Sequence, residues 1–152
     1  MMKIWNVAVV GAGIGRNHIT EGYNVLPDKF RVLALCDIDP KRLHGASQQF
    51  STPRATVSFG ELLAMPDLDI IDICTPPALH LEQSLAALTA GKQVICEKPL
   101  VGSLADADRL IATELSATSS ATCARPSPSR PTMARPGPSR SAKGSNSTTA
   151  IR

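Results

Sequence analysis

The 152-residue sequence predicts an α/β fold: a doubly wound parallel sheet, followed by a tail without a core. Three observations predict it. Unbroken aliphatic runs, the pattern of strands buried on both faces, recur from Ile4 to Cys96. Between them lie segments whose apolar residues repeat at helical spacing, and this alternation implies right-handed crossovers with helices on both faces of the sheet. The first run ends in Gly11-Ala12-Gly13-Ile14-Gly15, where a tight strand-to-helix turn lets the backbone approach a ligand that a Cβ would push away.

Ile4 to Val10 reads as the central strand. Ile14, Ile19 and Tyr23 then lie on a short helix that ends around Asn24-Val25-Leu26-Pro27. A second buried strand, Phe30 to Cys36, stops at Asp37. Asp39, as N-cap, and Pro40, in the first turn, open a helix through Leu43. Ala55 to Phe59 reads as a short third strand, and Gly60 to Ala64 as a turn of helix. Leu68 to Cys74 is a fourth strand, which Pro76 and Pro77 cannot continue. From Ala78 to Ala90, Leu81, Leu85 and Leu88 repeat at helical spacing, and Gly91 supplies the stop. Gln93 to Cys96 is a fifth strand. Ser103-Leu104-Ala105-Asp106 has the pattern of a capping box opening a helix to about Leu115.

In such a sheet, ligands bind in the crevice at the carboxyl ends of the strands. The glycine loop, Asp37, Thr75-Pro76 and Glu97-Lys98 are all expected there. Free N–H groups and the positive end of the first helix suit a pyrophosphate, each charge-assisted hydrogen bond contributing roughly 1.5–3 kcal/mol. Asp37 lies 26 residues after Gly11, where a carboxylate can accept from an adenosine ribose diol. A 2′-phosphate would be repelled there, which favours NAD over NADP, while nearby Lys41 and Arg42 leave NADP use open. The spacing is G-x-G-x-G, with Arg16 where G-x-G-x-x-G would place its third glycine. Many methyltransferases hold S-adenosylmethionine with that pattern, so the loop alone leaves both ligands open.

Composition narrows the class further. At this length there is room for one domain and a tail. Aromatic residues make up only 3% of the chain, so aliphatic side chains must build the core. The net charge of +3 is unevenly spread: residues 1–115 hold 10 basic and 13 acidic side chains, and beyond them stand six basic residues and no acidic one. No two of Cys36, Cys74, Cys96 and Cys123 have zinc-site spacing, and no metal is expected. The first three close strands, where a free thiol acts as a small hydrophobe. No signal peptide or bilayer-spanning run is evident, and a cytoplasmic location without membrane association is expected.

Four motifs, taken together, are similar to the N-terminal domain of the Gfo/Idh/MocA oxidoreductases, which include glucose-fructose oxidoreductase and inositol dehydrogenases. They are Gly11-Ala12-Gly13-Ile14-Gly15-Arg16-Asn17-His18, Asp69 through Thr75-Pro76-Pro77-Ala78-Leu79-His80, Ala90-Gly91-Lys92 and Glu97-Lys98-Pro99. The likeness runs from about Ile4 to Leu115. It implies a Rossmann-type domain holding NAD, with NADP an option, and hydride transfer to or from a sugar or cyclitol carbon. By this likeness Lys98 is the catalytic lysine beside the reacting carbon, and Glu97 orients it and contacts the cofactor. Thr75, Pro76 and His80 would line the nicotinamide side, with Gly11, Gly13, Ile14, Gly15 and Asp37 holding the rest.

The family pattern is not followed after Leu115. There the family adds a further strand and then a second α/β domain that supplies the substrate pocket. Residues 116–152 are instead rich in Ser, Thr, Ala, Pro and Arg, with too little apolar surface to offset the entropy of ordering. The sheet is therefore expected to lack its last strand, the tail to be disordered, and the chain to bind cofactor without a substrate domain of its own. The tail repeats itself: Ala124-Arg125-Pro126-Ser127-Pro128-Ser129-Arg130 returns ten residues later with one change. A basic arm for nucleic acid or a proline-recognising partner is one account of it. The favoured account is a shifted reading frame without function.

Overall fold

The computed structural model describes residues 3–121 and 149–151. Five parallel strands are β1 (Trp5–Val10), β2 (Phe30–Cys36), β3 (Arg54–Thr56), β4 (Ile70–Ile73) and β5 (Gln93–Cys96). A sixth, β6 (Thr149–Ile151), pairs antiparallel with β5, giving the order β3-β2-β1-β4-β5-β6. The strand order reverses beside β1, between β2 and β4, and ligands of doubly wound sheets bind at that switch point.

Alternate residues of β1 and β4 feed opposite cores. Ala8, Val10, Ile71, Ile73, Val94 and Cys96 meet Leu62 of α3 (Phe59–Leu63), Ala87 and Leu88 of α4 (His80–Thr89) and Leu110 of α5 (Leu104–Ala121). Val7, Val9, Leu35 and Ile70 meet Ile19, Tyr23, and Leu43 and Ala46 of α2 (Pro40–Gln49) on the other face. Among the described residues, no helix is long and apolar enough to cross a membrane.

Local chemistry sets the element ends. Asp39 caps α2, its Oδ1 accepting from the Lys41 and Arg42 N–H groups at 2.9 and 3.3 Å. At Ser103 the hydroxyl accepts from the Asp106 N–H at 3.1 Å and donates to the Asp106 carboxylate at 2.7 Å, so the expected capping box is met in a modified form.

Four elements differ from expectation. β3 ends at Thr56, because Thr56 Oγ1 accepts the Ser58 N–H at 3.0 Å and turns the chain, which puts Phe59 in a helix instead of a strand. The first helix is irregular: α1 (Gly15–Asn17) passes into a π-helical turn over His18–Gly22 and a 3₁₀ turn over Tyr23–Val25. α5 runs on to Ala121, so the boundary expected at 115/116 falls inside it. The sheet has a sixth strand, and it comes from the end of the tail. Of the disorder expected over 116–152, the part at 122–148 lies outside the described residues, as does the repeat over 124–140.

Candidate functional site

Register brings the loops to one rim. Val10 is paired with both Cys36 and Ile73, and Ile73 with Cys96, so β1, β2, β4 and β5 finish level. The ladders continue one step beyond: Gly11 N–H donates to Cys36 O at 2.8 Å, Cys74 N–H to Val10 O at 2.7 Å, and Glu97 N–H to Ile73 O at 2.9 Å. Above these ends lies a cleft of about 490 Å³.

The glycine loop forms one side of the cleft, and its three glycines do different work. Gly11 has φ +93°, and a Cβ on it would stand 2.6 Å from the Cys74 carbonyl oxygen, so glycine lets the β1 and β4 exits close up. A Cβ on Gly15 would collide with Val9 Cγ1, so this glycine lets α1 sit against β1. A Cβ on Gly13 would meet nothing nearer than Arg42 at 3.9 Å; Gly13 faces the open cleft, where a ligand backbone would fit. The Ala12 N–H is committed to Asp37 and the Gly15 N–H to Gly11 O, which leaves the N–H groups of Gly13 and Ile14 as the donors there.

Asp37 stands at the β2 end of the cleft and is 7% exposed. Its Oδ2 accepts the buried Ala12 N–H at 2.9 Å, and its Oδ1 the Asp39 N–H at 2.8 Å. Arg42 Nε lies 3.5 Å from Oδ2, and the Ile38 side chain beside it is 85% exposed. Each carboxylate oxygen has two lone pairs, so Asp37 can staple the loop and still accept from a diol.

Thr75 and Pro76 line the β4 side, and Thr75 Oγ1 donates to Gln83 Oε1 at 2.6 Å. Glu97 and Lys98 line the β5 side, followed by a cis peptide bond to Pro99. Thus Gly11, Gly13, Ile14, Asp37, Thr75, Pro76, Glu97 and Lys98 all line one cleft, whereas Gly15 and His80 do not. His80 is 0% exposed, and its two nitrogens face the Thr75 carbonyl at 2.7 Å and the Pro99 carbonyl at 2.8 Å. It ties the β4 exit to the β5 exit from beneath instead of meeting a ligand.

Arg42, expected from the sequence to temper the preference for NAD, is also in the lining; Gln83, beside it in the lining, has no role in the sequence reading, and neither does a buried cluster behind Glu97. His18 Nδ1 lies 2.8 Å from Asp72 Oδ2, and its Nε2 2.8 Å from Glu97 Oε1. Tyr23 donates its hydroxyl to the same Asp72 oxygen at 2.8 Å, and the Cys74 thiol donates to Asp72 Oδ1 at 3.5 Å. The hydrogen bond to Asp72 pushes His18 up to about 9; burial opposes this, and the Asp72 and Glu97 charges outweigh that opposition. Burial would raise Glu97, but the hydrogen bonds from His18 and the Lys98 N–H hold it below the usual carboxylate range. Burial pushes the Tyr23 hydroxyl and the Cys74 thiol far up, so both keep their protons. One signal for the cluster stands in the sequence: Asp72 interrupts an otherwise aliphatic strand, and a carboxylate there requires partners.

A switch-point cleft with an open glycine cradle and an acidic β2 end defines a dinucleotide-binding domain. The chain belongs to the Gfo/Idh/MocA oxidoreductase family and carries its NAD-binding Rossmann fold, the family model matching residues 5–122. It is 34% identical over 112 residues to the D-apiose dehydrogenase of Paraburkholderia graminis, covering 73% of this chain and 29% of that protein. Against the inositol 2-dehydrogenase of Gluconacetobacter diazotrophicus it is also 34% identical, covering 72% of this chain and 33% of that protein. Among solved structures, the WlbA dehydrogenase of Bordetella pertussis, in complex with NADH and UDP-GlcNAcA, superposes with a TM-score of 0.71 at 27% identity, over 76% of this chain and 36% of that one. The chain spans about a third of the length of the relatives it matches.

Proposed function

We propose that this chain binds NAD(H) across the cleft and serves an oxidoreductase acting on a sugar or cyclitol. Asp37 accepts from the adenosine ribose, the Gly13 and Ile14 N–H groups hold the pyrophosphate, and Thr75, Pro76, Glu97 and Lys98 surround the nicotinamide. When bound, the nicotinamide supplies hydride exchange. The Lys98 ammonium donates a hydrogen bond to the substrate oxygen and exchanges its proton as that oxygen becomes hydroxyl or carbonyl. The observation that carries this reading is Gly13: a Cβ there would project into open cleft, at the point where pyrophosphate must approach backbone.

NAD is favoured over NADP because the Asp37 carboxylate repels a 2′-phosphate, with Arg42 offsetting part of that repulsion. The 152-residue chain is expected to hold cofactor without turning over sugars alone, since orienting substrate against cofactor contributes roughly 7–11 kcal/mol and the described residues supply the cofactor's side of such a site. Three buried free thiols, Cys36, Cys74 and Cys96, fit a reducing cytoplasm. Calorimetry with NADH, NADPH and S-adenosylmethionine tests the proposal. NADH should bind tightest; tighter binding of S-adenosylmethionine, or no binding of NADH, refutes it.

A further inference from the structure

Asp72 lies within β4 at 0% exposure, where an ionised carboxylate is costly unless every oxygen is engaged. It is engaged by His18, Tyr23 and Cys74. From there the His18 ring reaches out to Glu97, whose other oxygen accepts the Lys98 N–H at 3.1 Å. The result is a continuous hydrogen-bonded chain from the buried Tyr23 hydroxyl to the backbone of Lys98. Carboxylates only accept, so a ring 2.8 Å from one at each end must donate from both nitrogens, as the imidazolium does.

We propose that His18, as a charged strut between Asp72 and Glu97, is a positioning residue for the Glu97-Lys98 turn, and that engagement of the nicotinamide half of the dinucleotide depends on its charge. This rests on the cofactor placement proposed above. When His18 loses a proton, it has one donor for two carboxylates. Asp72 is enclosed and keeps Tyr23 and Cys74, so Glu97, at the cleft rim, is the partner that His18 gives up, and the carboxylate that accepts the Lys98 N–H is no longer braced from β4. The groups facing His18 are Asp72 and Cys74 from β4 and its exit and Glu97 from the β5 exit, with Tyr23 of the adjoining 3₁₀ turn sharing the Asp72 oxygen and Lys98 bonded to the far oxygen of Glu97. Tyr23 and Cys74 stay protonated, both pushed up by burial. His18 is raised to about 9, so its charge persists at neutral pH and is lost in mild alkali.

The test compares NADH with ADP-ribose, which lacks the nicotinamide, by calorimetry on the full chain between pH 7 and 10. In the native chain the preference for NADH should fall roughly tenfold across that range while ADP-ribose affinity holds. His18→Asn should show the low preference at every pH. Asp72→Asn should move the inflection to lower pH. An inflection that survives in His18→Asn belongs to a group other than His18 and overturns the proposal, as does a native-like preference in that variant. Absence of NADH binding by the native chain overturns the function reading and this inference with it; binding with an unchanged preference in His18→Asn overturns this inference alone. Should His18→Asn fail to fold, NMR titration of the native His18 ring decides. A midpoint near 9 upholds the strut, and one near the ordinary 6.5 removes it.

Discussion

Replacing Asp37 with alanine separates its two tasks, holding the loop and holding the ligand. Its Oδ2 is the acceptor for the Ala12 N–H, and Ala12 is 1% exposed, so water cannot readily take over. The Asp39 N–H is less buried and can be solvated. A buried donor left unsatisfied costs about 1–3 kcal/mol, and relief from burying a carboxylate offsets part of the second lost bond. The expected loss of stability is about 2 kcal/mol, or roughly 8 °C in Tm for a domain of this size. Urea unfolding followed through Trp5, the single tryptophan, measures it, with a lowered midpoint and an unchanged slope. Asp37→Asn keeps one oxygen but turns an amide N–H toward a backbone donor, and should lose about half as much. Both variants should bind NADH at least about tenfold more weakly, at roughly 1.4 kcal/mol per decade. If Asp37→Ala unfolds within about 0.5 kcal/mol of the native chain, the carboxylate is not what holds the loop, and the reasoning fails.

The glycines should separate in the same way. Gly13→Ala should fold with native stability and lose NADH affinity by about tenfold or more, whereas Gly15→Ala, driven into Val9, should lose about 1–3 kcal/mol in the same urea assay. Stability should also respond to alkali. His18 binds its proton more tightly folded, about 9, than unfolded, about 6.5, so its contribution is complete below pH 6.5 and disappears as pH rises through 9. The loss is on the order of 3 kcal/mol, read from urea midpoints at pH 7 and pH 10, and His18→Asn should flatten the difference. His80→Phe should destabilise by about 1–3 kcal/mol by removing the ring whose nitrogens face the Thr75 and Pro99 carbonyls, and thermal melts would register it.

Much of the fold was legible because its signals are local. The aliphatic runs of β1, β2, β4 and β5 and the Asp39 cap each announce themselves within a few residues, and strand-helix alternation then dictates the crevice. The end of β3 was hidden because a single hydroxyl, Thr56 Oγ1, decides it, and neither apolar period nor propensity records that bond. In the site, the residues at strand exits could be placed by counting strands. His80 could not, since helical spacing puts it after Thr75-Pro76 without revealing that its ring turns inward beneath both loops. The His18–Asp72–Glu97 cluster joins residues 54 and 79 positions away from His18, and such separations are invisible to any window.

The two margins of the sheet are formed by three-residue strands, Arg54–Thr56 and Thr149–Ile151. Among the described residues, a neighbouring molecule seeking to extend the ladder would find only three residues on either flank, too small a template for cross-β growth. The longer, more adhesive strands are all shielded within, so the order of strands that creates the crevice also discourages self-association through backbone pairing.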